Sequence, residues 1–201
     1  MPVAGGVPNR VTYRSLPDRM VAWHPDGKRL LFASSGQDGG ARQLNKFYMV
    51  DKEGGMPESL PLPYGELASF SPDGKQLAYI TKITENYPLK RMRSGNNSDI
   101  LIYDMASKKV ENVTNRIAID GKPAWSGTTV YFLSDENPDM RLNIWAYDTK
   151  SKAMSQLTNF KDFDISYLSA SEKELVFEMG GDLYLMDLAT KNYKKVDVQV
   201  V

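Results

Sequence analysis

Short runs of apolar and aromatic residues, separated by polar turns, extend along the whole chain. None of these runs sustains the 3.6-residue spacing of an amphipathic helix, so we expect almost no helix. Several runs are rich in β-branched and aromatic residues, and in Val130–Leu133 the apolar run is continuous. A continuous run is typical of an inner strand that neighbouring sheets cover on both faces. The pattern therefore predicts an all-β fold built from many short strands.

The strand pattern repeats, and a turn of sequence Pro-Asp-Gly-Lys marks the repeat. His24–Lys28 and Ser71–Lys75 contain two copies of this turn, 47 residues apart. Proline presets φ, aspartate can bond to its own backbone, and glycine takes the positive φ that the turn requires. Each repeat holds four strand-like segments and returns about every 39 to 55 residues, which is typical of a β-propeller blade.

We therefore predict a β-propeller segment of about four four-stranded antiparallel blades. The blades are expected at about 18–63, 64–115, 120–159 and 162–201. Residues 8–14 follow a Gly-Gly pair, as does the last strand of the first blade, so they are expected to form one extra N-terminal strand of a preceding blade. On this interpretation the chain starts in mid-blade and is a piece of a longer protein.

Composition narrows the possible partners. The 201 residues carry 25 basic and 25 acidic side chains, and this balance gives no general attraction to nucleic acid or to anionic membranes. The chain has no cysteine, which excludes disulfides and thiolate chemistry. No apolar run approaches the roughly 20 residues that cross a bilayer, so no membrane insertion is expected. An open array leaves two apolar blade faces uncovered, so we expect self-association through the end blades.

Candidate catalytic and metal-binding residues are few. His24 is the single histidine, and it occupies a turn position that holds Ser71 in the next repeat. A position that accepts either residue favours a turn role over that of a catalytic base. The densest acidic stretch, Asp135–Asp139, lacks the glycine and distal glutamate of a calcium loop. We therefore predict no catalytic residue, no metal site and no cofactor in this chain.

One basic cluster remains as a candidate binding site. Lys90, Arg91 and Arg93 lie in a long insertion between the second and third strands of the second blade. Such insertions emerge on one rim of a propeller, where ligands are usually met. Arginine can hold a carboxylate through two parallel hydrogen bonds, so this loop could orient the C-terminal carboxylate of a peptide. Arg42 lies in a second rim insertion. The alternative is a charged loop that contacts a neighbouring domain.

Several motifs together resemble a known family. They are Trp23–Lys28, Phe70–Lys75, Leu77–Tyr79, Tyr87–Gly95, Asp99–Asp104, Pro123–Gly127, Tyr131–Asp135, Asn143–Asp148 and Phe177–Tyr184. In this order they are similar to the later blades of the first, six-bladed propeller of the tricorn protease family, whose repeats resemble those of TolB. Leu89, Met92 and Ala124 depart from the residues more common in that family.

The resemblance implies a non-catalytic propeller within a large serine peptidase that trims peptides. In that family the propellers are thought to form channels through which peptides enter or products leave, beside other domains and subunits. None of the catalytic residues of the family can be carried over to this chain. Two alternatives stay open: a TolB-like module that binds protein partners, and the propeller gate of a prolyl-oligopeptidase-like hydrolase. The compartment, cytoplasmic or periplasmic, also stays open.

Overall fold

The fold consists of four antiparallel sheets of four strands each. The computed structural model describes residues 5–35, 44–83 and 91–198, and no helix occurs within these ranges. In every sheet the strands lie side by side in chain order. Their bounds are β1 Asp18–Trp23, β2 Arg29–Ser35, β3 Asn45–Asp51, β4 Glu58–Ser59, β5 Leu67–Phe70, β6 Gln76–Ile80, β7 Leu101–Asp104, β8 Val110–Asn112, β9 Asp120–Ser126, β10 Thr129–Ser134, β11 Asn143–Asp148, β12 Met154–Gln156, β13 Ile165–Ala170, β14 Glu174–Met179, β15 Asp182–Asp187 and β16 Tyr193–Lys195.

The sheets stack face to face as the blades of a propeller. The first strands β1, β5, β9 and β13 contact one another in chain order, so they form the inner edge of the stack. Three apolar cores lie between successive blades. Phe47 and Tyr79 pack between blades one and two, Phe132 packs between blades two and three, and Phe177 packs between blades three and four. The predicted all-β propeller of four four-stranded blades is confirmed.

The Pro-Asp-Gly turns have the geometry that their residues favour. Asp26 Oδ1 accepts hydrogen bonds from the backbone N–H groups of Lys28 and Arg29, at 2.8 and 3.2 Å. Gly27 has a φ of 67°, in the left-handed region that glycine reaches without strain. The turn thus connects the inner strand to the second strand of its blade and fixes their register.

The structure differs from the prediction at residues 8–14, where the expected extra strand does not form. None of these residues belongs to a strand in the structure, because no second segment forms a hydrogen-bonded ladder with them. The segment instead leads across the outer face of blade one, where the Arg14 guanidinium lies 4.0 Å from the centre of the Tyr48 ring. A Gly-Gly pair before a segment therefore does not make that segment a strand when it has no partner edge.

Candidate functional site: the loop rim

One end of the blade stack carries the long connections, and we call it the loop rim. It comprises residues 91–100, 115–119, 135–142 and 159–164. The first and second strands of a blade are antiparallel, so the start of the first strand lies beside the end of the second. The segments that precede the first strand and follow the second strand therefore meet at one end of the stack. The described part of the basic cluster, Arg91 and Arg93, lies on this rim. Lys90 and Arg42 lie outside the described residues.

Arg93 ties the insertion of blade two to blade three. Its guanidinium donates to Asp135 Oδ1, and a second donor reaches the backbone oxygen of Asp135 at 2.7 Å. Asp135 follows β10 and is only 2% exposed. The same Oδ1 accepts the backbone N–H of Ile119 at 2.8 Å. Oδ1 of this buried carboxylate is therefore compensated by a charge and by the backbone, as a buried ion needs to be.

Arg91 extends the same loop as far as blade four. Its Nη2 lies 2.9 Å from Asp164 Oδ2, and Asp164 Oδ1 accepts the backbone N–H of Leu142 at 2.9 Å. Arg91 has a φ of 66°, so the chain turns sharply at this position. Its side chain is 32% exposed, which leaves part of the guanidinium accessible from solvent. The two arginines therefore link three successive blades across the rim.

These contacts bear on both interpretations of the basic cluster. Each guanidinium already has a carboxylate partner within the chain, as expected of a loop that contacts neighbouring parts of the protein. A guanidinium has five donors, however, and one carboxylate uses only some of them. Arg91, being more exposed and paired with a less buried aspartate, is the better placed of the two to meet an incoming carboxylate.

Exposed apolar side chains accompany the two arginines. Met92 and Ile117 are both exposed, and Asn97 Nδ2 holds their backbone oxygens together with hydrogen bonds of 2.7 and 2.8 Å. Phe163 is also exposed and directly precedes Asp164, the partner of Arg91. The rim therefore offers positive charge beside apolar surface, a combination that suits a peptide terminus. Neither Ile117 nor Phe163 belongs to a motif that the sequence pattern marks as functional.

A second arginine site lies deeper, where the chain enters blade three. Arg116 pairs with Asp120, at 3.1 Å between Nη2 and Oδ1, and its guanidinium stacks 4.8 Å from the centre of the Trp145 ring. Asp120 is fully buried, and this burial raises the pKa of its carboxyl group, while the bonds from Arg116 act in the opposite direction. Arg116 is enclosed by its partners, so it supports the blade rather than facing a ligand.

His24 lies at the opposite end of the stack, away from the loop rim. Its ring packs edge-on against Phe70 of blade two, with centroids 4.8 Å apart, and Nδ1 lies 3.0 Å from Asp26 Oδ2. A Cβ built on Gly74 would lie only 2.7 Å from the His24 ring. The histidine thus fills the junction between the first two turns. Its described contacts include no nucleophilic side chain to which it could act as a catalytic base.

The acidic stretch Asp135–Asp139 forms a turn. The backbone N–H of Asn137 bonds to the Asp135 oxygen at 2.8 Å, and Asn137 Nδ2 donates to the Arg141 oxygen at 2.7 Å. Within residues 5–35, 44–83 and 91–198, no group of three or more acidic or histidine side chains converges in a way that could hold a metal ion. In the same ranges no helix has the length and apolar character needed to cross a membrane.

The structure can be compared with known proteins. TolB from Acinetobacter baumannii matches with a TM-score of 0.66 and 22% identity, over 90% of this chain and 43% of that chain. A crystal structure of the tricorn protease matches with a TM-score of 0.54 and 17% identity, over 97% of this chain and 23% of that chain. At these identities both likenesses show the fold alone.

The sequence comparisons are more specific. The tricorn protease homolog of Saccharolobus solfataricus is 26% identical over 203 residues, which cover 98% of this chain but only 18% of the relative. The chain therefore spans about a fifth of the length of that relative. The family model for the tricorn protease N-terminal β-propeller domain matches residues 1–192. The chain belongs to the family of tricorn protease N-terminal β-propeller domains.

Proposed function

We propose that this chain is the non-catalytic propeller segment of a tricorn-like serine peptidase, and that it shapes a channel through which peptides enter or products leave. Family membership over residues 1–192 carries this proposal. The cores between the blades make the segment a rigid wall. The loop rim then supplies the polar and apolar groups that a passing peptide meets, and it contacts other domains or subunits.

Within that channel, Arg91 is the residue that would recognise the C-terminal carboxylate of a peptide. Its partner Asp164 is 10% exposed and accepts a second hydrogen bond from the backbone N–H of Leu142. The Asp164 carboxylate therefore keeps a hydrogen-bond donor when part of the Arg91 guanidinium turns toward the peptide. Arg93 instead holds the more deeply buried Asp135 and would stay in place. The exposed side chains of Met92 and Phe163 would contact the last apolar side chain of the peptide.

The channel role can be tested in the full-length peptidase by narrowing the channel chemically. Ser166 is exposed on the innermost strand β13, so Ser166→Cys coupled to a bulky maleimide reduces the opening. We expect slower trimming of long peptides and unchanged hydrolysis of a short fluorogenic substrate. The matched control is Lys109→Cys, exposed beside the outer strand β8 and coupled to the same reagent. Equal rates for long peptides in both labelled proteins would contradict the channel role.

The carboxylate role has its own test, so the two proposals can fail separately. Arg91→Gln should raise KM for peptides with a free C-terminus by about three- to tenfold, because a partly exposed charge-assisted contact is lost. Peptides ending in an amide should be unaffected. Lys173→Gln, exposed at the opposite end of blade four, is the control. Equal changes for free and amidated peptides would eliminate the carboxylate role and leave the channel role standing.

A further inference from the structure

Asn97 closes a tight turn in the insertion of blade two. Its backbone N–H donates to the Ser94 oxygen at 3.0 Å, and the backbone N–H of Asn96 donates to Ser94 Oγ at 3.1 Å. Nothing lies within 4 Å of a Cβ built on Gly95, so the tip of the turn stands clear of the blades. The chain thereby folds back on itself, and the Asn97 side chain reaches Met92, five residues earlier.

The Asn97 amide joins two segments that lie far apart in the sequence. Nδ2 donates to the Met92 oxygen at 2.7 Å and to the Ile117 oxygen at 2.8 Å. Met92 belongs to the insertion of blade two, whereas Ile117 belongs to the linker that enters blade three. Because both acceptors are carbonyl oxygens, the amide has one favourable orientation, and a flipped amide would place Oδ1 against two oxygens. Both hydrogens of this amide group therefore hold the two segments together.

This pair of hydrogen bonds fixes the backbone that follows Arg91. The Met92 oxygen belongs to the peptide group between Met92 and Arg93, so Asn97 sets the direction of the chain between the two arginines. Arg91 has a φ of 66°, a left-handed conformation that is unfavourable for a residue with a side chain. Such a conformation persists where the contacts around it impose it. Asn97 supplies one of these contacts, and the ion pair of Arg91 with Asp164 supplies another.

The two arginines need this fixed backbone because they reach different blades. Arg91 pairs with Asp164, which directly precedes the inner strand of blade four. Arg93, only two residues later, pairs with Asp135, which follows the second strand of blade three. A rotation of the peptide group at Met92 would carry one guanidinium away from its carboxylate. The position of Arg91 on the loop rim therefore depends on the bond from Asn97 to Met92.

We propose that Asn97 is a positioning residue for recognition of the peptide C-terminus. It holds the Arg91 guanidinium where a carboxylate can reach it, and it holds Met92 beside that guanidinium. This role rests on the carboxylate recognition proposed above for Arg91. Asn97 itself makes no bond to the peptide through its amide hydrogens, because both are engaged by carbonyl oxygens. Asn97 acts through Arg91, so its contribution should vanish when the guanidinium is absent.

The test measures KM and kcat of the full-length peptidase for two peptides that differ only in a free or an amidated C-terminus. Asn97→Ala removes both hydrogen bonds without adding a charge. KM for the free peptide should rise by about threefold, because a loosened arginine loses part of its contact with the carboxylate. We expect kcat, and KM for the amidated peptide, to stay unchanged. Asn97→Asp has the same shape but lacks both donors, so KM should change in the same direction.

The matched control is Gln156→Glu. Gln156 is exposed on the outer strand β12, and its Nε2 donates to the Thr158 oxygen at 2.7 Å. The substitution makes the same change from amide to carboxylate as Asn97→Asp but lies away from the two arginines, so KM should stay unchanged for both peptides. Partial unfolding of a variant does not imitate the expected result, because both peptides are assayed with one preparation and their KM ratio is compared.

A double-mutant cycle separates positioning from a purely structural role. In an Arg91→Gln background, Asn97→Ala should have no further effect on KM, since the group that it positions is gone. A rise in KM that persists in this background, or that is equal for free and amidated peptides, would overturn the positioning role. If Arg91→Gln distinguishes the two peptides and Asn97→Ala does not, only the positioning role falls. If Arg91→Gln fails to distinguish them, the carboxylate role and the positioning role fall together.

Discussion

Trp23 and Trp125 occupy the same repeat position in different surroundings, so they make a matched pair for testing blade packing. Trp125→Ala removes a side chain that is 7% exposed, together with its 3.1 Å hydrogen bond from Nε1 to the Gly127 oxygen. Truncating a buried tryptophan costs about 3–5 kcal/mol. Trp23 is 57% exposed and buries less than half of its surface, so Trp23→Ala should cost only about 1–2 kcal/mol.

The assay is urea unfolding at protein concentrations where the chain is monomeric, followed by circular dichroism. The unfolding slope should stay the same in both variants, so that the midpoints report the free energy of unfolding. Trp125→Ala should shift the midpoint at least twice as far as Trp23→Ala. Equal shifts would refute the reasoning, because they would mean that neighbouring blades do not cover the face on which Trp125 lies.

Three further predictions concern other parts of the fold. Gly65→Ala should destabilise the chain by about 1–3 kcal/mol in thermal unfolding, because the new Cβ would overlap the ring of the fully buried Phe47. Arg93→Ala should cost about 2–4 kcal/mol in urea, because it leaves the buried Asp135 carboxylate without its charge partner. Hydrogen bonds from the backbone and hydroxyl of Ser151 lower the pKa of Asp148 to about 2. The contribution of Asp148 to the free energy of unfolding should therefore be complete above about pH 4 and decline toward pH 2. Asp148→Asn should flatten this decline.

Each of these predictions has a control or an opposing outcome. Gly95→Ala should be neutral, since nothing lies within 4 Å of its built Cβ. Arg91→Ala should cost less than Arg93→Ala, because its ion pair is more exposed. The acid prediction is contradicted if the unfolding midpoint of Asp148→Asn falls as steeply between pH 4 and pH 2 as that of the unmodified chain.

The blade order could be predicted from the sequence because turn chemistry and strand alternation are local properties. The strand Thr129–Ser134 contains the continuous apolar run Val130–Leu133, which the sequence pattern assigns to a strand covered on both faces. The sequence determines the bounds of the outermost strands less well. The fourth strand of blade four ends at Lys195, although a strand-like pattern runs to Val200. An outer strand pairs on one side only, so its length depends on the neighbouring edge more than on its own residues.

The rim contacts could not be predicted in the same way. Arg93 and Asp135 are 42 residues apart, and only the stacking of blades brings them together. The pair of Arg116 and Asp120 is different, because its four-residue spacing is visible in the sequence. The turns that define the repeat follow the inner strand, however, and carry no information about the linker that precedes it.

Amide hydrogen exchange measured along the whole chain tests the central claim most directly, namely that four equivalent sheets stack as blades. The second and third strands of each sheet are paired on both sides, whereas the fourth strands β4, β8, β12 and β16 are paired on one side and are short. We therefore predict strong protection in β2, β6, β10 and β14, rapid exchange in the fourth strands, and this gradient repeated four times along the sequence. Protection that is confined to one continuous region, or that does not rise and fall with the blades, would contradict the account.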